Sequence, residues 1–421
     1  MLQRIFLTAI AVIYGLNLFD IIQVSPVALT AQVEPSAGVE PLAGEEPLAG
    51  EEPSAGEKPS AGEEPSALSI STPATAASRP LLQEQFVNVA DAMPRVHAPT
   101  AIINAEGELH SYWYGGTREG ARDVAIYGAR FDSLTNTWTD HRKVIDRISS
   151  GKRTRRGVSK IGNPVAYTHP DGRVWLFYVN VSIGGWAWSS INLATSTDGG
   201  MTFTDDKRLV TSPFFNRSTL VKSAPVSLSD GSVGLPAYHE LASKHGELIK
   251  IDVNGDVIDK RRIPSTLPAL QPALVSTTDG RLLAFLRNAA DENRMLLRSE
   301  SVDQGVTWSQ ATNVNVPNPN SAIAVETTPT GLLLAFNDHP ENRDILSLAH
   351  SKDDGHSWQV FHVLEYKPNI NKQDHTNEFS YPWFVKDQAG VYNLFYTWQR
   401  THIKHVRFNE AWLTEKLQGV I

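Results

Sequence analysis

The residues of this chain with the clearest capacity for chemistry form a short charged stretch, Gly115 to Asp123, with the sequence GGTREGARD. Arginine carries a permanent charge and a planar donor group that can bind two carboxylate oxygens at once. A carboxylic acid beside it can donate or accept a proton. Arg118 and Asp123 are therefore candidates for substrate contact and proton transfer. The alternative is an ordinary salt bridge within a solvated loop.

The sequence excludes several other kinds of chemistry. It contains no cysteine, so disulfides, thiolate catalysis and cysteine-based metal sites cannot occur. It also has no HExxH, P-loop, GxGxxG or EF-hand motif, and its 13 histidines have no clear ligand spacing. We therefore predict that the protein uses no metal or other cofactor. The formal net charge of −8 gives no general attraction to nucleic acid, which we do not expect as a partner.

A repeated eight-residue box indicates which elements position these residues. It reads Ser-x-Asp-x-Gly-x-Thr/Ser-Trp/Phe and occurs at Ser196–Phe203, Ser301–Trp308 and Ser351–Trp358. A fourth copy ends at Trp138, where Asp132 remains but Thr135 replaces the glycine. In such a box the aspartate accepts turn N–H groups, the glycine takes a positive φ, and the aromatic ring folds over the hairpin. The box marks a fold and is not itself expected to be catalytic.

Six strand-turn-strand units follow one another at intervals of about 47 to 65 residues, which suits four-stranded blades. Five of their six first strands contain a proline; the six are His97–Thr100, Gly162–Val165, Ser223–Val226, Leu270–Ala273, Asn320–Ile323 and Ser380–Trp383. We predict an all-β fold, a six-bladed β-propeller, because a β-sandwich would not repeat this order at blade spacing. The ring could be closed by Gln83–Asn88 or by Ile403–Phe408.

The chain before the predicted propeller has two parts. Arg4, the apolar run Ile5–Phe19 and the small residues that follow predict a signal peptide within residues 1–31, with an uncleaved membrane anchor as the alternative. Residues 32–82 contain a Pro/Ala/Gly/Glu hexapeptide repeat without an apolar face, which predicts an extended linker. Residues 83–421 would form the propeller. We expect an exported protein that is periplasmic, extracellular or anchored outside the cytoplasm.

Between about Met93 and Phe408, these features resemble the sialidase (neuraminidase) superfamily, in particular bacterial predicted neuraminidases with Asp-box (BNR) repeats. Its members combine a six-bladed propeller with a first-strand Arg-Ile-Pro, a second arginine about 20 residues later and an aspartate five residues further on. Here His97 opens the corresponding tripeptide, Arg118 follows 21 residues on, and Asp123 comes five after that. The resemblance implies a glycan-cleaving hydrolase with Asp123 as general acid/base, its pKa raised by a dry pocket.

The resemblance also implies a binding site for the carboxylate of an acidic sugar. Arg287 and Arg343 match two of the three family arginines, and His97 replaces the third. Because an ordinary histidine is mostly uncharged at neutral pH, this replacement weakens carboxylate binding. The sequence therefore leaves open a hydrolase or lyase that acts on a uronate or deoxysugar with His97 as proton donor or acceptor. His97 could equally be a structural residue of the channel.

The nucleophile implied by the resemblance is a tyrosine paired with a glutamate. Tyr381, directly before the proline of the sixth unit, is the candidate, although a competing alignment places Phe379 there. Gln271 falls where the family has its glutamate and cannot act as a base, whereas Glu240 could supply a carboxylate. Nearby side chains that could substitute are Glu378, Tyr396 and Arg400. A carbohydrate-binding propeller without catalytic activity remains the third alternative.

Overall fold

The computed structural model describes residues 79–89, 93–212, 216, 218–241, 243–292, 294–367 and 377–419. The predicted signal or anchor segment and most of the predicted linker lie outside these residues. The chain divides into two units, Met1–Thr72 and Pro73–Ile421, and every described residue belongs to the second unit. Among the described residues, no helix is long and apolar enough to cross a membrane.

The described residues form six antiparallel sheets that follow one another along the chain. Blade one contains Arg95–Ile103, Leu109–Gly116, Ala125–Asp132 and Thr137–Asp146; blade two contains Lys160–Thr168, Val174–Val181, Ser189–Ser196 and Asp205–Arg208; blade three contains Thr219–Val221 and Val226–Ser227 as an interrupted first strand, then Val233–His239, His245–Ile251 and Val257–Arg262. Blade four contains Ala269–Ser276, Leu282–Asn288, Met295–Ser301 and Thr312–Pro317; blade five contains Ala324–Thr328, Gly331–Asn337, Ile345–Ser351 and Gln359–Tyr366; blade six contains Phe379–Lys386, Tyr392–Trp398 and His402–Phe408.

The first strands of neighbouring blades contact one another around a central channel, and the first strand of blade six contacts that of blade one. The structure is thus the predicted six-bladed β-propeller. Two short helices, Arg147–Thr154 and Glu410–Gln418, lie outside the sheets. Second strands are buried on both faces because blades cover them on either side; in Val174–Val181 all eight residues are buried, and β-branched and aromatic side chains suit that environment.

The ring is closed by the segment that precedes blade one. Leu82–Phe86 pairs antiparallel with His402–Phe408 and becomes the outermost strand of blade six. Both segments considered from the sequence therefore take part, one as the added strand and the other as its partner. Asn409 fixes the junction, because its side chain accepts a hydrogen bond from Leu81 N and donates one to Arg79 O.

The Asp boxes form the expected hairpin turns. In the second box, Ser301 Oγ accepts a hydrogen bond from Gly305 N at 2.8 Å, and Asp303 accepts one from Thr307 N at 2.8 Å. Gly305 has φ +84°, and a Cβ there would lie 2.2 Å from Leu248 of blade three, so the turn also packs one blade on the next. In the degenerate box, Asn136 takes the positive φ of 56°.

The first strands of four blades carry a β-bulge at the residue before the proline. Ala98, Asn163, Gln271 and Tyr381 have φ between 46° and 56°, and the pairing register shifts at each of them. A left-handed conformation is uncommon for residues other than glycine, and such positions are often found at functional sites. The bulges recur at the same level of the propeller and re-aim side chains around the channel.

Candidate functional site

The side chains at two of the bulges form hydrogen bonds with a tyrosine of blade three. The hydroxyl of Tyr238, at the end of a second strand, accepts hydrogen bonds from Asn163 Nδ2 at 3.4 Å and Gln271 Nε2 at 3.2 Å. Gln271 Oε1 in turn accepts a hydrogen bond from Arg287 Nη1 at 3.0 Å. Burial raises the pKa of Tyr238 well above its ordinary value. Side chains from blades two, three and four are thereby joined in one network.

The two arginines expected to bind a carboxylate are joined through Asn320 of blade five. Arg287 Nε donates to Asn320 Oδ1 at 2.6 Å, and Arg343 Nη2 donates to the Asn320 carbonyl at 2.7 Å. Asn320 has φ 53° and precedes the first strand of its blade, which begins only at Ala324. The two guanidinium groups therefore belong to one cluster, although 56 residues separate them in the sequence.

Glu378 is the acidic member of this cluster. It pairs with Arg400 Nε at 2.9 Å and Arg343 Nη1 at 3.4 Å, and it accepts a hydrogen bond from Ser380 Oγ at 2.8 Å. Burial opposes its ionisation, but His97, Arg343 and Arg400 outweigh burial and hold the pKa of Glu378 below its usual value. Glu378 is therefore an ionised carboxylate, partly neutralised by two arginines.

His97 and Tyr381 lie side by side in the same cluster. Their ring centroids are 4.5 Å apart, and His97 Nε2 is 3.9 Å from Glu378 Oε1. Burial, reinforced by Arg400, lowers the pKa of His97 to about 4, so the ring is neutral at pH 7. Its buried Nδ1 has no hydrogen-bond partner among the described residues. Phe379, the competing candidate for the nucleophile, is buried in the core of blade six instead.

A cavity of about 320 Å³ opens beside this pair and is lined by Arg95, Val96, His97, Tyr114, Gly116, Arg118, Glu119, Val124 and Arg400. Arg400 Nη1 pairs with Glu119 Oε2 at 2.9 Å, which links blade six to blade one at the rim. Arg118 is exposed and lines the cavity, as a residue in contact with substrate would. The charged stretch recognised in the sequence thus forms one wall of the cavity.

Asp123 does not have the environment expected of it. Its carboxylate is exposed and accepts hydrogen bonds from Thr117 N at 2.7 Å and Thr117 Oγ1 at 2.5 Å. These bonds lower the pKa of Asp123 below its ordinary value. The expectation of a pKa raised by a dry pocket is therefore wrong for this conformation, because the carboxylate binds its own loop in open solvent. It does not form the loop salt bridge with Arg118 either.

Glu240 lies at the edge of the arginine cluster, whereas Tyr396 lies away from it. Glu240 is half-buried, and burial raises its pKa even though Arg287 and Lys244 act in the opposite direction. It thus lies near the arginine cluster, close enough for the charge of Arg287 to act on its carboxylate. Tyr396 is fully buried in blade six and donates a hydrogen bond to Glu365 Oε1 at 2.7 Å, so it takes no part in the cluster.

Several members of the site are not predicted from the sequence. The sequence suggests Glu378 and Arg400 only as substitutes for the tyrosine, and it gives Asn320, Tyr238 and Glu119 no role as ligands or acid–base groups. A signal for them exists in the repeat: each lies next to a first strand or at the end of a second strand. Among the described residues, no group of three or more His, Asp or Glu side chains is arranged to hold a metal ion.

The fold and this cluster define a sialidase-like β-propeller. The model of the BNR repeat-like domain matches residues 107–394, well over half of the chain, and the protein belongs to that family. No curated protein matches the sequence.

Solved structures with the same fold include a protein of unknown function from Dyadobacter fermentans, with 13% identity and a TM-score of 0.62 over 78% of this chain and 99% of that one. The NanB sialidase of Streptococcus pneumoniae has 10% identity and a TM-score of 0.60, over 77% and 70% of the two chains. Trypanosoma rangeli sialidase has 12% identity and a TM-score of 0.58, over 77% and 56%. Similarity at these identities establishes the fold alone.

Proposed function

We propose that the protein is an exported, sialidase-like glycoside hydrolase that removes a terminal acidic sugar from glycans. The observation that carries this proposal is the convergence of Arg287, Arg343 and Tyr381 from three different blades on one side of the channel. Family membership and the sialidases among the structures of similar fold support a carbohydrate substrate. The structures of similar fold include Trypanosoma rangeli sialidase in complex with sialic acid.

Binding of the sugar carboxylate is assigned to the arginines. Arg287 uses Nε and Nη1 within the cluster and makes no hydrogen bond through Nη2 among the described residues. Arg400 supplies a third guanidinium on the side of His97, because both contact Glu378. Planar guanidinium groups held by neighbours can bind a carboxylate in a defined orientation. Arg400 thus offsets the positive charge lost where the family arginine is replaced by His97.

The reaction follows from the groups around the bound sugar. Tyr381 Oη forms a bond to the anomeric carbon as the glycosidic C–O bond breaks, its proton passes to ionised Glu378, and Asp123 protonates the leaving oxygen. Water then cleaves the tyrosyl intermediate with Asp123 as base, and the configuration is retained. Asp123 must give up its hydrogen bonds to Thr117 to act as an acid, since those bonds stabilise its ionised form.

A second candidate function is favoured by His97. Its ring is neutral at pH 7, and its Nδ1 has no hydrogen-bond partner among the described residues, so the ring has a free position that can accept a proton 4.5 Å (between ring centroids) from Tyr381. On a uronate polymer, His97 would remove the proton at C5, the C4–O bond would break, and Tyr381 would protonate the leaving oxygen. The product would carry a C4=C5 double bond. The arginines would neutralise the carboxylate in this reaction as well.

The experiment compares release of fluorophore from an α-sialoside with formation of unsaturated sugar from uronate polymers. We expect Tyr381→Phe and Asp123→Asn to lower kcat for the sialoside by at least about 100-fold. The matched controls are Tyr366→Phe and Asp132→Asn, which make the same changes outside the site, at an exposed tyrosine and at a partly exposed aspartate of the degenerate box.

Full activity in Asp123→Asn would contradict the role of Asp123 as the acid. Unsaturated product that disappears in a His97→Asn variant, with the sialoside inert, would establish the second candidate. Glycan binding without cleavage of either substrate would instead indicate a carbohydrate-binding propeller.

A further inference from the structure

Lys222 is a buried lysine in the interruption between Thr219–Val221 and Val226–Ser227, the two segments of the first strand of blade three. Only 5% of its surface is exposed, and its amine nitrogen lies 5.8 Å from the centroid of the Trp383 ring in blade six. Burial lowers its pKa to about 7, and no charged neighbour contributes to that shift. A buried ammonium group without an acidic partner is costly, and its presence calls for an explanation other than an ion pair.

The amine of Lys222 donates hydrogen bonds to two backbone carbonyls of other blades. It lies 2.5 Å from Pro382 O and 3.2 Å from Ile323 O. Neither carbonyl belongs to a residue that is paired with a neighbouring strand. Pro382 lies in the bulge between Ser380 and Trp383, and Ile323 directly precedes the first strand of blade five. Buried carbonyls need a partner, and here one side chain satisfies two of them across the channel.

We propose that Lys222 is a positioning residue for Tyr381, which it holds in place by binding the carbonyl of the next residue, Pro382, from inside the channel. This inference rests on the proposed role of Tyr381 as the reacting group. The same bulge is also held by Trp383, whose Nε1 donates to Ala101 O of blade one at 2.9 Å. With both contacts present, the left-handed Tyr381 is braced from blades one and three.

Lys222 lines a different cavity from the residues proposed to bind substrate. It lines a cavity of about 290 Å³ between the first strands of blades three to six, whereas His97, Arg118 and Arg400 line the cavity at the charged stretch. Lys222 makes no hydrogen bond to Arg287 or Arg343. A change at Lys222 should consequently alter the position of Tyr381 while leaving the arginines in place.

The test is the substitution Lys222→Met in the full chain, which keeps the length of the side chain and removes its donors. We expect kcat on the acidic glycoside to fall about 100-fold, because displacing a reacting group by about 1 Å has effects of that size. We expect KM to change less than about threefold, since the arginines are untouched, and crystal structures should show Tyr381 displaced. Loss of a costly buried charge offsets the two lost hydrogen bonds, so the Tm should stay within about 5 °C.

The matched control is Lys386→Met, at the far end of the same blade-six strand. Lys386 Nζ donates to Tyr392 Oη at 3.1 Å and lies 4.6 Å from the centroid of that ring, away from the bulge. An equal fall in kcat in both variants, or an unchanged kcat in Lys222→Met, would overturn the inference. If the wild-type protein cleaves no acidic glycoside, the proposed function fails, and the crystal structures alone decide the inference: an unmoved Tyr381 in Lys222→Met would refute it.

Discussion

At the scale of single residues, the site is a balance of charges in a partly buried cluster. Arg343 and Arg400 share the carboxylate of Glu378, and their positive charge helps to keep the neighbouring His97 neutral. A neutral histidine can accept a proton, whereas the arginine expected here from the resemblance to sialidases could only bind an anion. The substitution therefore changes the chemistry open to the site as well as its charge.

This arrangement predicts a pH dependence of stability that belongs to His97. Its pKa is about 4 in the folded chain, against about 6.5 for an ordinary histidine in the unfolded chain, so between these pH values mainly the unfolded chain binds the proton. Stability should therefore fall as the pH is lowered from 6.5 to 4. The decrease due to His97 should amount to about 3 kcal/mol.

Urea unfolding at a series of pH values checks this in the wild type and in His97→Gln. The variant should show a flatter dependence across that interval. His356→Gln, which alters an exposed histidine, serves as the control and should follow the wild type. Parallel curves for the wild type and His97→Gln would contradict the prediction.

At the scale of elements, the Asp boxes stabilise the hairpins, while the bulged first strands position the site. The boxes were predictable because each satisfies its turn within eight residues. The prolines of the first strands were visible in the sequence, but the left-handed bulge before them was not expected. Residues before proline usually favour extended conformations, and here contacts between blades override that preference.

The box geometry predicts that Ser196→Ala costs about 1 to 3 kcal/mol of the free energy of unfolding. Ser196 Oγ accepts a hydrogen bond from the buried Gly200 N at 2.9 Å, and alanine leaves that donor without a partner. Thr202→Ala is the control in the same box, because its hydroxyl contacts Asp198 at the exposed surface. Urea unfolding midpoints measure both variants, and equal effects would argue against the buried donor as the cause.

At the scale of the whole molecule, stability depends on closing the ring of blades. Leu82–Phe86 joins blade six through five residue pairs, although over 300 residues separate it from its partner strand. Without it, His402–Phe408 would be an exposed edge strand, which tends to pair with other chains.

A chain that begins at Val87 should therefore have a Tm lower by at least about 5 °C and a greater tendency to associate than one that begins at Arg79. Thermal unfolding and light scattering measure the two effects. The same Tm for both chains would show that this strand adds little to closure.

The sequence by itself determined the propeller and its six blades. It also singled out Arg287 and Arg343, whose side chains the structure joins through Asn320, while their role as carboxylate ligands stays a prediction. These inferences depend on turn chemistry and strand repeats, which act over short distances along the chain and so leave a readable pattern. The exclusion of cysteine chemistry follows from composition alone.

Only the tertiary structure decided which side chains meet. It placed Tyr381 beside His97 and Phe379 in the core of blade six. It also added Glu378, Arg400 and Asn320 to the cluster and placed Asp123 in solvent. It also brought Lys222 beneath the Tyr381 bulge, from a blade that no sequence argument connected with that tyrosine. The physical reason is that the channel juxtaposes residues from different blades, so their contacts are set by the closure of the ring and not by spacing along the chain.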